Sequence, residues 1–324
     1  MDPAAFARRD PHARVATIGG ETMGTVWSAK IVGGDPQATR ALAERLLAQV
    51  VAEMSHWAPD SALSRLNRAP IGSWQRLPPA LLRVLAAAWE VAGASNGAFD
   101  PTTGALVDLW GFGPAGPRST VPDTAAIDAA HAAAGLAAFE LDPLLLRARR
   151  RRDARLDLSG IAKGYAVDAL AEALAAAGHR DVLVEIGGEF VGRGLRPDGQ
   201  PWWIDVEPLP DAALPPLRIA AHEIAVATSG DYRRQFVAGG TRYSHTLDPR
   251  TGRPIAHGTA SVTVLGSSCM LADAHATVLT VLPPEQARAW AIEHAIAARL
   301  VERSGHRLEE WLSPALQAML DGPS

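Results

Sequence analysis

A single cysteine, Cys269, in 324 residues leaves the chain without the partner an internal disulfide needs. It also excludes a zinc ribbon and a CxxC redox centre, which require clustered thiols. Cys269 itself, just ahead of an apolar segment, reads as a small buried apolar residue. Nowhere do 18 or more predominantly apolar residues run unbroken by charge, glycine or proline, so no spanning helix and no membrane insertion are expected. Met1 to His12 alternates alanines with Asp2, Arg8, Arg9 and Asp10 and lacks the apolar centre of a signal peptide, so a cytoplasmic protein is expected. The 31 basic residues against 35 acidic ones give a net charge of −4. That balance offers no global attraction to nucleic acid, and any anionic ligand must be held locally. Neither a Walker A loop nor HExxH occurs.

What is present is ordinary globular composition, 48% hydrophobic and 20% charged, enough for a sizeable core without staples. Strands are expected over Gly20–Val32, Asp181–Ile186, Trp202–Val206, Ala225–Ser229, Arg242–Leu247 and, last of all, Ala260–Leu265. Leu42, Leu46, Leu47, Val50, Val51 and Met54 recur at helical spacing, and Pro78-Pro79 opens a second helix that ends near Ala94. Further helices are expected over Thr124–Gly135, Ile161–Ala177, 268–282 and 285–298, and residues 144–158 read as a hairpin around Arg151-Arg152-Asp153-Ala154. The arginines at 147, 149, 150, 151, 152 and 155 then form a solvated face rather than a nucleic-acid patch. Strand runs and helix blocks interleave without a regular βαβ beat, so the class is α+β.

Four polar clusters exceed what core packing requires. Leu156 to Asp168 (LDLSGIAKGYAVD) places Asp157 at a strand end, glycines in a turn, and Lys163 at a helix start, an arrangement that suits an anion. The same residues also read as a helix N-cap neighbour and a surface charge. In the apolar run Leu271–Thr277, Asp273 and Thr277 lie four apart on one helical face and offer two hard oxygens for Mg²⁺. The competing reading makes Asp273 a helix cap and lets Thr277 bond back to its carbonyl ladder. His245, on the strand face of Tyr243 and Leu247, has the pKa range of a general base, although a histidine beside a turn is often structural. Met23, Trp57, Ala98, Phe99 and Asp100 combine a thioether, aromatic rings and a carboxylate, which could cradle a ring system or simply pack.

In order along the chain, these segments resemble the ApbE family of flavin transferases. The resemblance runs through MGT at Met23, MSxWxPDSxLSRLN from Met54 to Asn67 and GAFDPTxGxLVxLWGFGP from Gly97 to Pro114. It continues through DLSGIAKGYAVD from Asp157, GGE at Gly187, TSGDYRR at Thr228, YSHTLDPRTGRPI from Tyr243 and ADAHAT from Ala272. It implies a T-fold-like α+β domain with mixed or antiparallel sheets and packed helices, spanning 16–324 after a flexible 1–15. It implies FAD as substrate, with Met23, Trp57, Ala98, Phe99, Asp100, Asp157, Lys163 and Leu247 at the FAD site. It further implies Mg²⁺ held by Asp273, Thr277 and a backbone carbonyl near Gly160, with His245 as the base. The implied reaction moves FMN from FAD to a Ser or Thr hydroxyl of an acceptor flavoprotein domain and releases AMP. FAD hydrolysis to FMN and AMP, and non-catalytic FAD binding, are the alternatives.

Overall fold

The computed structural model describes residues 6–7, 9–209, 214–230, 235–305 and 307–321. Asp231 to Arg234, the end of the motif that starts at Thr228, lie outside the described residues, as do 1–5 and 8 of the N-terminal segment.

Among the described residues, an eight-stranded sheet takes its strands in chain order, each antiparallel to the next. They are β1 Val15–Thr22, β2 Thr25–Val32, β3 Val182–Ile186, β4 Glu189–Arg193, β5 Ile224–Gly230, β6 Thr259–Gly266, β7 Ala297–Ser304 and β8 Arg307–Leu312. Between β2 and β3 come α1 Pro36–Met54, α2 Ala62–Arg68, α3 Pro79–Ala94, α4 Gly104–Leu109, α5 Thr124–Ala133 and α6 Ala162–Ala176. Between β6 and β7 come α7 Cys269–Val281 and α8 Pro284–Glu293, and α9 Pro314–Asp321 follows β8.

Because successive side chains of a strand point to opposite faces, the sheet is apolar on both. Val184, Ile186, Val191, Ala225, Ala227, Val262 and Val264 pack under α6 and α7. Leu183, Val226 and Leu265 face the other way, beneath the hairpin Trp202–Asp205 with Arg218–Ala221 and Leu316 of α9. Each valine, leucine or isoleucine among them contributes about 1.5–3 kcal/mol on full burial, so the sheet is pinned from both sides. A third cluster, Leu106, Trp110, Phe112, Ile127 and Leu247 with Phe236 and Tyr243, joins α4 and α5 to the antiparallel pair Gln235–Ala238 with Thr241–Ser244 and to Leu247 just after it. The Trp110 indole N–H donates to Gly252 O at 2.9 Å and closes that lobe.

The α+β class with antiparallel pairing holds, and four local expectations change. Gly20–Val32 is a hairpin rather than one strand, turning at Met23 and Gly24 with φ of 50° and 72°. Two positive φ values make the tight turn whose twist matches its strands. Arg242–Leu247 is broken: strand pairing stops at Ser244, the chain bends at His245, and a short pair resumes at Leu247–Asp248. The arginine-rich hairpin pairs Phe139–Asp142 with Arg147–Arg150 and turns at Pro143–Leu146, earlier than the Arg151–Ala154 turn expected. The helix expected over 285–298 ends at Glu293, and β7 and β8 follow where no strand was expected.

Candidate active site

The centre of the site is the junction of two helices. α6 starts without a side-chain cap at Ile161, so its first N–H groups need partners from elsewhere. One comes from α7: the Gly164 N–H donates to Asp273 Oδ2 at 3.0 Å. That contact exists because position 164 lacks a side chain. A Cβ there would lie 2.2 Å from the Cys269 carbonyl oxygen. The two helices are also clamped at the start of α7, where Asp168 of α6 accepts from Ser268 Oγ at 2.8 Å, Cys269 N at 2.9 Å and Met270 N at 3.0 Å.

Asp273 is 3% exposed, and burial raises its pKa, opposed by the Lys163 charge and the Gly164 hydrogen bond. It therefore sits inside α7 and caps α6, not its own helix, whose N-cap is Ser268. Thr277, one turn on, donates back to the Asp273 carbonyl at 3.2 Å, which leaves its oxygen lone pairs available. A side chain at Gly160 would come within 2.8 Å of the Thr277 hydroxyl, so the bare backbone is what keeps that space open. Lys163 forms an ion pair with Glu189 of β4 at 2.5 Å.

Around this junction lies a cleft of about 880 Å³, within the usual range for a bound small molecule. Met23 and Gly24 reach it from the β1–β2 turn, Trp57 from the loop after α1, and Ala98, Phe99 and Asp100 from the loop after α3. Trp57 is 50% exposed, with its ring 5.5 Å from that of His56. Phe99 is buried, its N–H donating to Ser95 Oγ at 3.1 Å. Asp100 Oδ1 accepts from both N and Oγ1 of Thr102 at 2.7 Å, and burial raises its pKa. Asp157 is buried, accepts from Ser159 N at 2.7 Å and stands 3.5 Å from His56 Nδ1. His245 enters from the bend, its ring edge-on to Phe112 at 6.2 Å, with Leu247 two residues on.

Every site residue proposed from the sequence thus lines one cleft. Sequence reasoning missed His56, Glu189 and the Thr228–Gly230 end of β5, which line it too. Glu189 and Thr228–Gly230 stood in quoted motifs, GGE and TSGDYRR, but nothing in one strand reveals that its side chain meets a lysine on a distant helix. Asn67, from SRLN, holds the site from behind: its side chain donates to Leu156 O at 2.9 Å and accepts from Leu156 N at 2.7 Å. Two generic strings do occur in the sequence, G-x-S-x-G at Gly93–Gly97 and G-x-G-x-x-G at Gly111–Gly116. The first ends helix α3 and the second follows α4, so neither has the strand-to-helix context its chemistry requires.

Among the described residues, four carboxylates line the cleft, Asp100, Asp157, Glu189 and Asp273, against one ammonium, Lys163. Among the described residues no group of three His, Cys, Asp or Glu side chains could hold a metal ion. A cation here would rest on the buried Asp273 carboxylate, the Thr277 hydroxyl and backbone oxygen near Gly160. That hard-oxygen set suits magnesium, which keeps waters and shares ligands with a substrate phosphate.

The match to the ApbE family model covers residues 23–300. An FAD:protein FMN transferase of Klebsiella pneumoniae is 34% identical over 98% of this chain and 93% of its own length. A Vibrio cholerae protein of the same description is 37% identical over 94% of this chain and 92% of its own. The crystal structure of the Pseudomonas stutzeri flavinyl transferase ApbE, in its apo form, superposes with a TM-score of 0.89 at 36% identity, covering 96% of this chain and 98% of that one. Sheet order, cleft and motif positions thus accompany similarity along nearly the whole length, and the chain belongs to the ApbE family.

Proposed function

We propose that this chain transfers FMN from FAD to a Ser or Thr hydroxyl of an acceptor protein and releases AMP. The observation that carries the reading is the convergence of the motif residues on one cleft, in a chain whose full-length relatives are named FAD:protein FMN transferases. In the reaction, the acceptor oxygen attacks the phosphorus on the flavin side of the pyrophosphate. The bond from that phosphorus to the bridging oxygen breaks, and AMP leaves with the bridging oxygen.

In this reading, Met23, Trp57 and Phe99 hold the flavin ring system through polarisable and aromatic surface. Asp157, Lys163 and the flanking Asp100, Ala98 and Leu247 position the rest of FAD. His245 takes the proton of the acceptor hydroxyl, a task for which an imidazole is suited near neutral pH. Asp273 and Thr277, with backbone at Gly160, hold magnesium. When bound there, the ion supplies neutralisation of pyrophosphate charge and stabilises the AMP leaving group. The carboxylate excess among the described lining residues supports the need for it, because a dianionic pyrophosphate beside those carboxylates is otherwise repelled.

The test is incubation with FAD, Mg²⁺ and a flavin-acceptor domain, followed by in-gel fluorescence under denaturing conditions. A fluorescent acceptor band, lost in Asp273→Asn, is expected. Free FMN with no labelled acceptor would instead make the chain an FAD pyrophosphatase.

A further inference from the structure

The turn of the arginine-rich hairpin breaks the usual rule for loops. Pro143-Leu144-Leu145-Leu146 occupies a tip where polar and small residues ordinarily sit. Its three leucines are 95%, 56% and 41% exposed, and they belong to none of the apolar clusters. Leu146 moreover adopts φ of 48°, a left-handed conformation that glycine or asparagine would take more easily. Nothing within the fold is gained by leucine at these positions.

The surroundings of the tip are basic. Between Phe139 and Asp153 there are five arginines against three carboxylates, and of these Arg150 is buried, bonded to the Ala69 carbonyl and paired with Asp153. Arg147 and Arg149 lie over the Trp74 ring at 4.3 and 4.5 Å, and pair with Asp142 and Glu140 respectively. Arg76, directly opposite Arg147 in the register, and Arg152 are exposed and make no ion pair among the described residues. An exposed apolar tip, a collar of guanidinium groups directly behind it at Arg76 and Arg147, and the Trp74 ring packed against Arg147 and Arg149 are the apolar, cationic and interfacial groups that an anionic bilayer surface accommodates.

We infer that this hairpin docks the protein peripherally on an anionic lipid surface, with Leu144 and Leu145 entering the acyl boundary and the arginine collar resting on the headgroups. No helix among the described residues is long and apolar enough to cross a membrane, and interfacial docking of a hairpin needs none.

Flotation with vesicles of phosphatidylcholine containing phosphatidylglycerol, against pure phosphatidylcholine, tests this on the full chain. Wild type should float with the anionic vesicles at least tenfold more than with the neutral ones, and binding should weaken as salt rises. Leu144→Asn/Leu145→Asn and, separately, Arg76→Glu should each reduce flotation at least tenfold while melting as wild type. Wild type that stays with the unbound fraction, or variants that float equally well, would overturn the inference. So would a wild-type dimer in sedimentation that the leucine variant converts to monomer, because the tip would then be covered by a second copy.

Discussion

At Gly164 one absent methyl group sets the distance between two helices. The Gly164→Ala side chain would meet backbone rather than a movable side chain, so relief requires α7 to shift. Overpacking of this kind costs about 1–3 kcal/mol, and Asp273 shifts with the helix. Gly164→Ala should therefore lower the urea midpoint and weaken FAD binding together. Met23 predicts the opposite coupling. Its left-handed φ costs about 1–2 kcal/mol for a residue with a Cβ, which exceeds the loss of about 0.4–1 kcal/mol by which a glycine frees the unfolded chain, so Met23→Gly should raise stability slightly while FAD affinity falls as the thioether leaves the cleft. A thermal melt beside a binding titration would separate the two effects. Cys269 gives a third check. Burial and nearby carboxylates push its thiol well up, and it is fully enclosed. It should resist alkylation at neutral pH in the native protein and react only on unfolding. Both halves of the competing reading of Asp273 and Thr277 are visible at this scale: the threonine does bond back to its helix, and the aspartate does cap a helix, although a neighbouring one.

Among the elements, the Asp168 clamp carries the most leverage. Three hydrogen bonds from the start of α7 end on one carboxylate, and N-terminal capping contacts are each worth about 0.5–2 kcal/mol. Asp168→Ala should destabilise the fold by roughly that amount or more and slow FMN transfer, because α7 carries Asp273 and Thr277. Unfolding midpoints and transfer rates measured on the same preparation would show both. The last residue of the DLSGIAKGYAVD motif is thus a structural clamp, which its sequence context alone does not distinguish from a ligand. Helices α1, α3, α6 and α7 were legible because their apolar positions recur at helical spacing. β7 was not, since Ala297-Ala298-Arg299-Leu300-Val301 is buried on both faces and has no alternation to read. Its arginine pairs inside the sheet with Glu310 of β8 at 2.5 Å, a partner visible only after folding. The bend at His245 was hidden for a similar reason: Tyr243 to Leu247 alternates like a strand, and tertiary packing of Phe112 and Leu247 breaks it.

For the molecule as a whole, a sheet strung in chain order with long helical insertions brings residues from positions 23 to 277 into one cleft. The site residues named from the sequence were legible because each lies in a motif. Their mutual pairing was not, because Lys163–Glu189 and His56–Asp157 join segments that only the three-dimensional fold brings together. Quantifying AMP and intact acceptor mass in a single reaction with FAD and Mg²⁺ tests the central claim most directly. The account predicts one AMP released for every acceptor molecule that gains FMN; AMP accumulating while the acceptor mass stays unchanged would contradict it.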